Sequence, residues 1–180
     1  TYGWDWVARF VTCGIWRDVY LDFTEGFSVK NVYIYTENLW QDLAQIVVEA
    51  DLEGFESGSI LPVKVKDPEG NTVFCRNYYC REPVFREYIN ISNARLWYPS
   101  GYGEQPLYTL EIGDKQQIFG IRTVMIEERP DEKGSGYYET CLQIQDSASG
   151  QIYDKNEEFS GFCLRVNGMA IMCKGANWVP

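Results

Sequence analysis

The sequence predicts an all-β chain built around an antiparallel sandwich, and three observations carry that prediction. Polar and apolar residues alternate with a period of two along much of the chain, turn signatures separate the alternating runs, and no stretch shows a convincing helical period. The clearest alternation places Ile46, Val48, Ala50 and Leu52 on one face and Gln45, Val47, Glu49 and Asp51 on the other. A one-residue slip would turn that whole apolar face to solvent, so the register is strongly specified.

The elements follow in chain order. Residues 29–35 are rich in β-branched and aromatic side chains, which suit a pleated surface. After the 45–52 strand, Val63 and Val65 alternate with Lys64 and Lys66, and Asp67-Pro68-Glu69-Gly70 then reads as a type I turn, with proline at its second position. Near the other end, Asn167-Gly168 lies between FCLRV and MAIMC and predicts a hairpin with a type I′ turn, which needs positive φ at both central residues. Strands at this spacing over 28–124 fit a Greek-key sandwich of about seven strands. The Cys, Trp, Cys spacing of antibody domains is not recognisable, so any immunoglobulin likeness is one of architecture.

Composition narrows the function. A chain of 180 residues can bury one good core. Its 16 Lys and Arg against 26 Asp and Glu give a net charge of −10, and no basic cluster is present to neutralise phosphates, so nucleic acid is not an expected partner. No apolar run reaches the roughly 20 residues that span a bilayer, so no membrane partner is expected either. The sequence contains no histidine, which removes Ser-His-Asp and Cys-His catalysis in their usual forms together with the commonest zinc ligand. The six cysteines, at 13, 75, 80, 141, 163 and 173, form no CxxC pair. They read as buried free thiols in a reducing, cytoplasmic setting, and Cys163 and Cys173 flank the Asn167-Gly168 turn. No metal site and no cofactor is expected.

Four stretches carry a resemblance: YGWDW with GIWRDVYL near the start, ARLWYPSGYGEQPLY (94–108), IFGIRTV (118–124) and LRVNGMAIMCKGANW (164–178). In this order they resemble glycoside hydrolase family 2, and within it the β-mannosidases. Where family members continue Gly-Pro-Arg after the first motif, this chain reads Val7-Ala8-Arg9. The resemblance implies a jelly-roll sugar-binding domain, then an immunoglobulin-like antiparallel β-sandwich, then a TIM barrel bearing two catalytic glutamates. On that pattern residues 1–27 are the tail of the jelly roll and a linker, and 28–126 are the sandwich. Residues 127–180 are a polar linker and the first hairpin or strand leading into a barrel that the chain does not contain. The expected partners are then a β-linked sugar substrate and the neighbouring jelly-roll and barrel domains. The other reading is a free-standing β-sandwich that binds carbohydrate or protein by itself.

Two constellations are candidates for sugar contact. Trp4, Asp5 and Trp6 place a carboxylate between two indoles, a combination in which rings stack on the apolar face of a pyranose while the acid accepts hydroxyl hydrogen bonds. Taken alone, the same residues also fit an edge strand with two packing tryptophans. The resemblance implies that Asp5 reaches into the barrel mouth and touches the sugar. The second group is Asn177 with Trp178, preceded by Lys174-Gly175-Ala176, where a barrel strand would deliver polar side chains to its carboxyl end.

No residue is assigned a catalytic role. Asn156-Glu157 mimics the family's Asn-Glu acid/base pair but lies in a Gly-, Ser- and Asp-rich segment ahead of the expected barrel. Asp131-Glu132 and Glu157-Glu158 read as solvated loop faces. Trp97, Tyr98, Tyr102 and Tyr108 read as structural, turning the chain between strands and packing on the sandwich.

Overall fold

A computed structural model describes residues 9, 13–21, 23, 26–147 and 160–177. Seven strands build the sandwich: β1 (Ser28–Trp40), β2 (Leu43–Glu53), β3 (Ile60–Lys66), β4 (Thr72–Tyr79), β5 (Val84–Ser92), β6 (Tyr108–Ile112) and β7 (Lys115–Phe119). One sheet has the order β1-β2-β5 and the other β4-β3-β6-β7, all neighbours antiparallel. The chain crosses between sheets at β2 to β3, β4 to β5 and β5 to β6, which is the Greek-key connection of an immunoglobulin-like sandwich. Flanking strands follow: β8 (Val124–Pro130), β9 (Ser160–Val166) and β10 (Met169–Ile171) form a third sheet of order β10-β9-β8, and a helix, α1 (Gly136–Ser147), lies between β8 and β9.

The alternation of β2 sets the core. Ile46, Val48, Ala50 and Leu52 are all buried and meet Leu61, Val63, Val65, Leu110 and Ile112 from the opposite sheet in one cluster. Each fully buried side chain of this size contributes about 1.5–3 kcal/mol of transfer free energy. Val47 departs from the expected pattern. It lies on the outer face yet has 0% exposure, because β2 is the central strand and its register partners there are Tyr35 and Tyr88. The Arg86 guanidinium donates to both tyrosine hydroxyls at 3.2 Å and pairs with Glu49 at 3.2 Å, so Val47 is covered within a face whose other groups remain polar and partly exposed.

The two turn signatures form as read. Gly70 donates its amide to the Asp67 carbonyl at 3.0 Å, closing the β3–β4 turn, and the Asp67 carboxylate accepts the Glu69 and Asn71 amides at 3.0 and 2.7 Å. Asn167 and Gly168 have φ of 51° and 78°, both left-handed as a type I′ turn requires, and β9 and β10 pair across them. Tyr108, at the start of β6, is 3% exposed and accepts the Arg95 amide at 2.9 Å through its hydroxyl, which ties the β5–β6 connection to the core.

Helix α1 departs from the all-β expectation. Ser135 caps it, accepting the Tyr138 amide on Oγ at 3.2 Å and the Glu139 amide on its carbonyl at 3.0 Å. Tyr138, Cys141 and Leu142 share one helix face, but that repeat lasts a single turn inside a polar run and is too short to register as a period. The cysteines also differ from expectation. All six are free, but only Cys80 is buried, where burial pushes its thiol pKa up, and Cys13, Cys75 and Cys173 are exposed.

Two predictions follow from this packing. Asp114, in the β6–β7 turn, accepts the Val29 amide at 3.0 Å and so ties the start of β1 to the other sheet. That hydrogen bond, ahead of the nearby Lys115, holds the Asp114 carboxyl below its ordinary range. The ionised form is therefore favoured by folding, so its contribution is present above about pH 4 and is lost as the pH falls through the lower folded-state value. Asp114→Asn is expected to cost about 1 kcal/mol at pH 7, allowing for the exposure of the carboxylate, and the gap to the native chain should close in acid; urea midpoints at the two pH values check this. The other prediction concerns Gly120, where an added Cβ would come within 2.8 Å of Trp97 Cβ and Cγ. Gly120→Ala should destabilise by about 1–3 kcal/mol in thermal or urea unfolding, since the clashing atoms sit next to a backbone that the Trp97 to Ile121 hydrogen bond holds in place.

Candidate functional site

Among the sequence-predicted site residues, Trp4, Asp5, Trp6 and Trp178 lie outside the described residues, as do Asn156 and Glu157. Asn177 is described. It is exposed and lies beyond the end of β10, after exposed Lys174, Gly175 and Ala176. The described residues do build the frame from which this run departs.

That frame centres on Trp97. Its amide donates to the Ile121 carbonyl at 2.9 Å, its ring lies against Gly120, and the Arg122 guanidinium sits 4.5 Å from the ring centroid. Asn167 then joins the β9–β10 hairpin to this assembly. Its side-chain Nδ2 donates to the Trp97 carbonyl at 3.0 Å, its Oδ1 accepts the Thr123 amide at 2.9 Å, and its own amide donates to the Thr123 carbonyl at 3.0 Å. A residue selected for turn chemistry therefore also joins two units of the fold. At the far end of β10, Met172 donates its amide to the Tyr102 hydroxyl at 2.9 Å. The sequence marks Asn167 as a turn residue and Tyr102 as part of a structural loop. Neither tertiary partner is encoded in local spacing, so neither clamp could be read there.

Three charges of the third sheet are paired around Glu127. Glu127 on β8 accepts from Arg165 on β9 and lies 3.0 Å from Arg129, and the Arg165 bond, ahead of Arg129, holds the Glu127 carboxyl below its usual range. An acid kept ionised between two guanidiniums is a poor proton donor, so Glu127 does not suit general acid work. A groove of about 630 Å3 runs between the edges of β1 and β7 that have no strand partner among the described residues, lined by Tyr33, Tyr35, Leu107, Ile118 and Arg122 among others. No carboxylate among the described residues lines it. Hydrolysis of a glycoside by the usual route needs two, about 5–10 Å apart. No cluster of three or more metal-ligating side chains occurs among the described residues. No described helix is long and apolar enough to cross a membrane.

No family model matches the chain. Curated relatives do. The chain is 28% identical to beta-mannosidase B of Neosartorya fischeri over 192 aligned positions, covering 99% of this chain and 19% of that protein. It is 28% identical to beta-mannosidase B of Emericella nidulans, covering 99% and 20% respectively. The chain thus spans about a fifth of the length of these relatives. Among solved structures, the β-D-mannosidase of Dictyoglomus thermophilum matches with a TM-score of 0.61 and 25% identity over 86% of this chain and 18% of that one. The apo structure of Bacteroides uniformis β-glucuronidase 3 matches with a TM-score of 0.52 at 17% identity, covering 83% of this chain and 15% of that one, a likeness of fold. By sequence along almost its whole length and by fold, the chain is similar to the β-mannosidases of glycoside hydrolase family 2.

Proposed function

We propose that this chain is a non-catalytic β-sandwich module of a longer retaining glycosidase of the β-mannosidase type, which removes terminal β-linked sugars. In this reading residues 1–27 close a preceding jelly-roll domain, 28–126 form the spacer, and 127–180 lead into a TIM barrel that supplies both catalytic glutamates. The observation that carries the reading is the match to β-mannosidases over 99% of this chain but only about a fifth of theirs. The clamp at Asn167 supports it, because a spacer must fix the direction of the chain it passes on. Within the whole enzyme Asp5 accepts hydrogen bonds from sugar hydroxyls, Trp4 and Trp6 flank it, and Asn177 and Trp178 approach the sugar from the start of the barrel. The neighbouring jelly-roll and barrel domains are its partners, and a cytoplasmic setting fits the free thiols.

The 180-residue polypeptide by itself is expected to hydrolyse no aryl β-mannoside or β-galactoside, because the retaining mechanism needs both glutamates. Turnover that survives repurification and vanishes in Glu157→Gln would overturn the assignment. In the full-length parent, Asp5→Asn should keep the fold and lower kcat/KM by roughly ten- to more than one hundred-fold, since a hydrogen bond to a charged group contributes about 1.5–3 kcal/mol. Unchanged steady-state kinetics in that variant would make Asp5 a structural residue.

A further inference from the structure

Strand β10 pairs with β9 alone, so its other edge has no strand partner among the described residues. It is held instead at its two ends by groups that belong to the sandwich. At its start, the Asn167 side chain bonds to Trp97 and Thr123. At its finish, the Tyr102 hydroxyl accepts the Met172 amide at 2.9 Å, a contact between residues 70 positions apart in sequence.

Tyr102 is presented on a stiff turn. The Tyr98 amide donates to the Glu104 carbonyl at 2.9 Å and the Tyr102 amide to the Pro99 carbonyl at 3.0 Å, closing the turn twice. Gly103 packs under the Tyr98 ring so closely that a Cβ there would lie 2.9 Å from its Cδ2, and Arg95 bonds to Glu104 at 2.8 Å. The phenol is thus carried by a turn that cannot easily shift. Its acceptor role also contributes little to the core, since Met172 lies outside the buried cluster and is 71% exposed. What the bond fixes is direction. Past Met172 the residues 173–177 are all exposed, and this is the run that ends on Asn177.

We infer that Tyr102 is a positioning residue: its hydroxyl, acting on the Met172 amide, sets the angle at which residues 173–177 leave the sandwich and so where Asn177 meets the sugar. The inference rests on the glycosidase reading above and extends it to a residue that never touches substrate. Five extended residues reach at most about 18 Å, so a small change of angle at Met172 becomes a displacement of ångströms at Asn177. Displacements of that size at a positioning group lower the rate without altering the chemistry.

The test uses Tyr102→Phe, which keeps the ring and removes the acceptor. In the 180-residue chain, amide exchange at Met172 should accelerate while that of Ile46 in the core stays as in the native chain. In the full-length parent, kcat/KM should fall about three- to ten-fold, the effect of losing one ordinary hydrogen bond, with an unchanged pH–rate profile and an unchanged thermal midpoint. A residue with a merely structural role would move the midpoint and leave the kinetics of the folded enzyme alone. The kinetic arm is run on whichever of an aryl β-mannoside, β-galactoside or β-glucuronide the native parent cleaves. Cleavage of none overturns the glycosidase reading before any variant is measured. Native kcat/KM in Tyr102→Phe of an active parent, or unaltered exchange at Met172, overturns the role of Tyr102 alone.

Discussion

The side-chain amide of Asn167 gives to the Trp97 carbonyl and takes from the Thr123 amide, and the placement of the third sheet depends on that pair of bonds. The linker from Phe119 to Val124 is short, and β8 leaves it with Val124, Met125 and Ile126 all exposed, so packing does little to orient the sheet. Hydrogen bonds at the junction must do so. Each contributes about 0.5–1.5 kcal/mol net, but leaving a part-buried donor or acceptor unpaired costs the fuller desolvation penalty, which makes the arrangement discriminating. An amide suits the task because it offers a donor and an acceptor from one planar group.

The sandwich makes the clamp possible by holding both of its partners still. Thr123 and Trp97 come from separate loops, and they are brought into register by the Trp97 to Ile121 backbone bond, the close seat of the indole on Gly120 and the Arg122 guanidinium above the ring. Tyr108 anchors the same region from inside the core through the Arg95 amide. The outlying ion pairs of Arg95 with Glu69 and Glu104 are exposed and add little of their own, though they narrow the choices open to the loop. Rigidity therefore grows outward from the two apolar faces to the junction and to the exit past Met172.

Period-two alternation made the sheets readable because burial of one face is a local property repeated at every second residue, as 46, 48, 50 and 52 display. Turns were readable for a similar reason, since Asn167-Gly168 states its own backbone requirement. Val47 lies on the outer face that the alternation gives it, but its burial is not legible there because its cover comes from neighbouring strands, Tyr35 on one side and Tyr88 on the other. Helix α1 is not legible in the sequence because its apolar repeat spans one turn and its stability begins with a Ser135 cap. The candidate site divides along the same line. Trp4, Asp5, Trp6, Asn177 and Trp178 came from motifs and resemblance, and of these only Asn177 falls among the described residues. The groups that aim Asn177 act through partners 44 to 70 positions away, which no local pattern records.

Asn167→Gly separates the two duties of this residue, because glycine meets the left-handed requirement of the turn while removing the amide. Amide hydrogen exchange at Thr123, whose donor the Asn167 side chain occupies, reads the clamp directly. If the clamp orients the sheet, Thr123 should lose protection in the variant while the β9–β10 pairing partners, Val166 with Met169 and Leu164 with Ile171, keep theirs. Equal protection of Thr123 in both chains would show that the sheet is held by something else and would contradict the account.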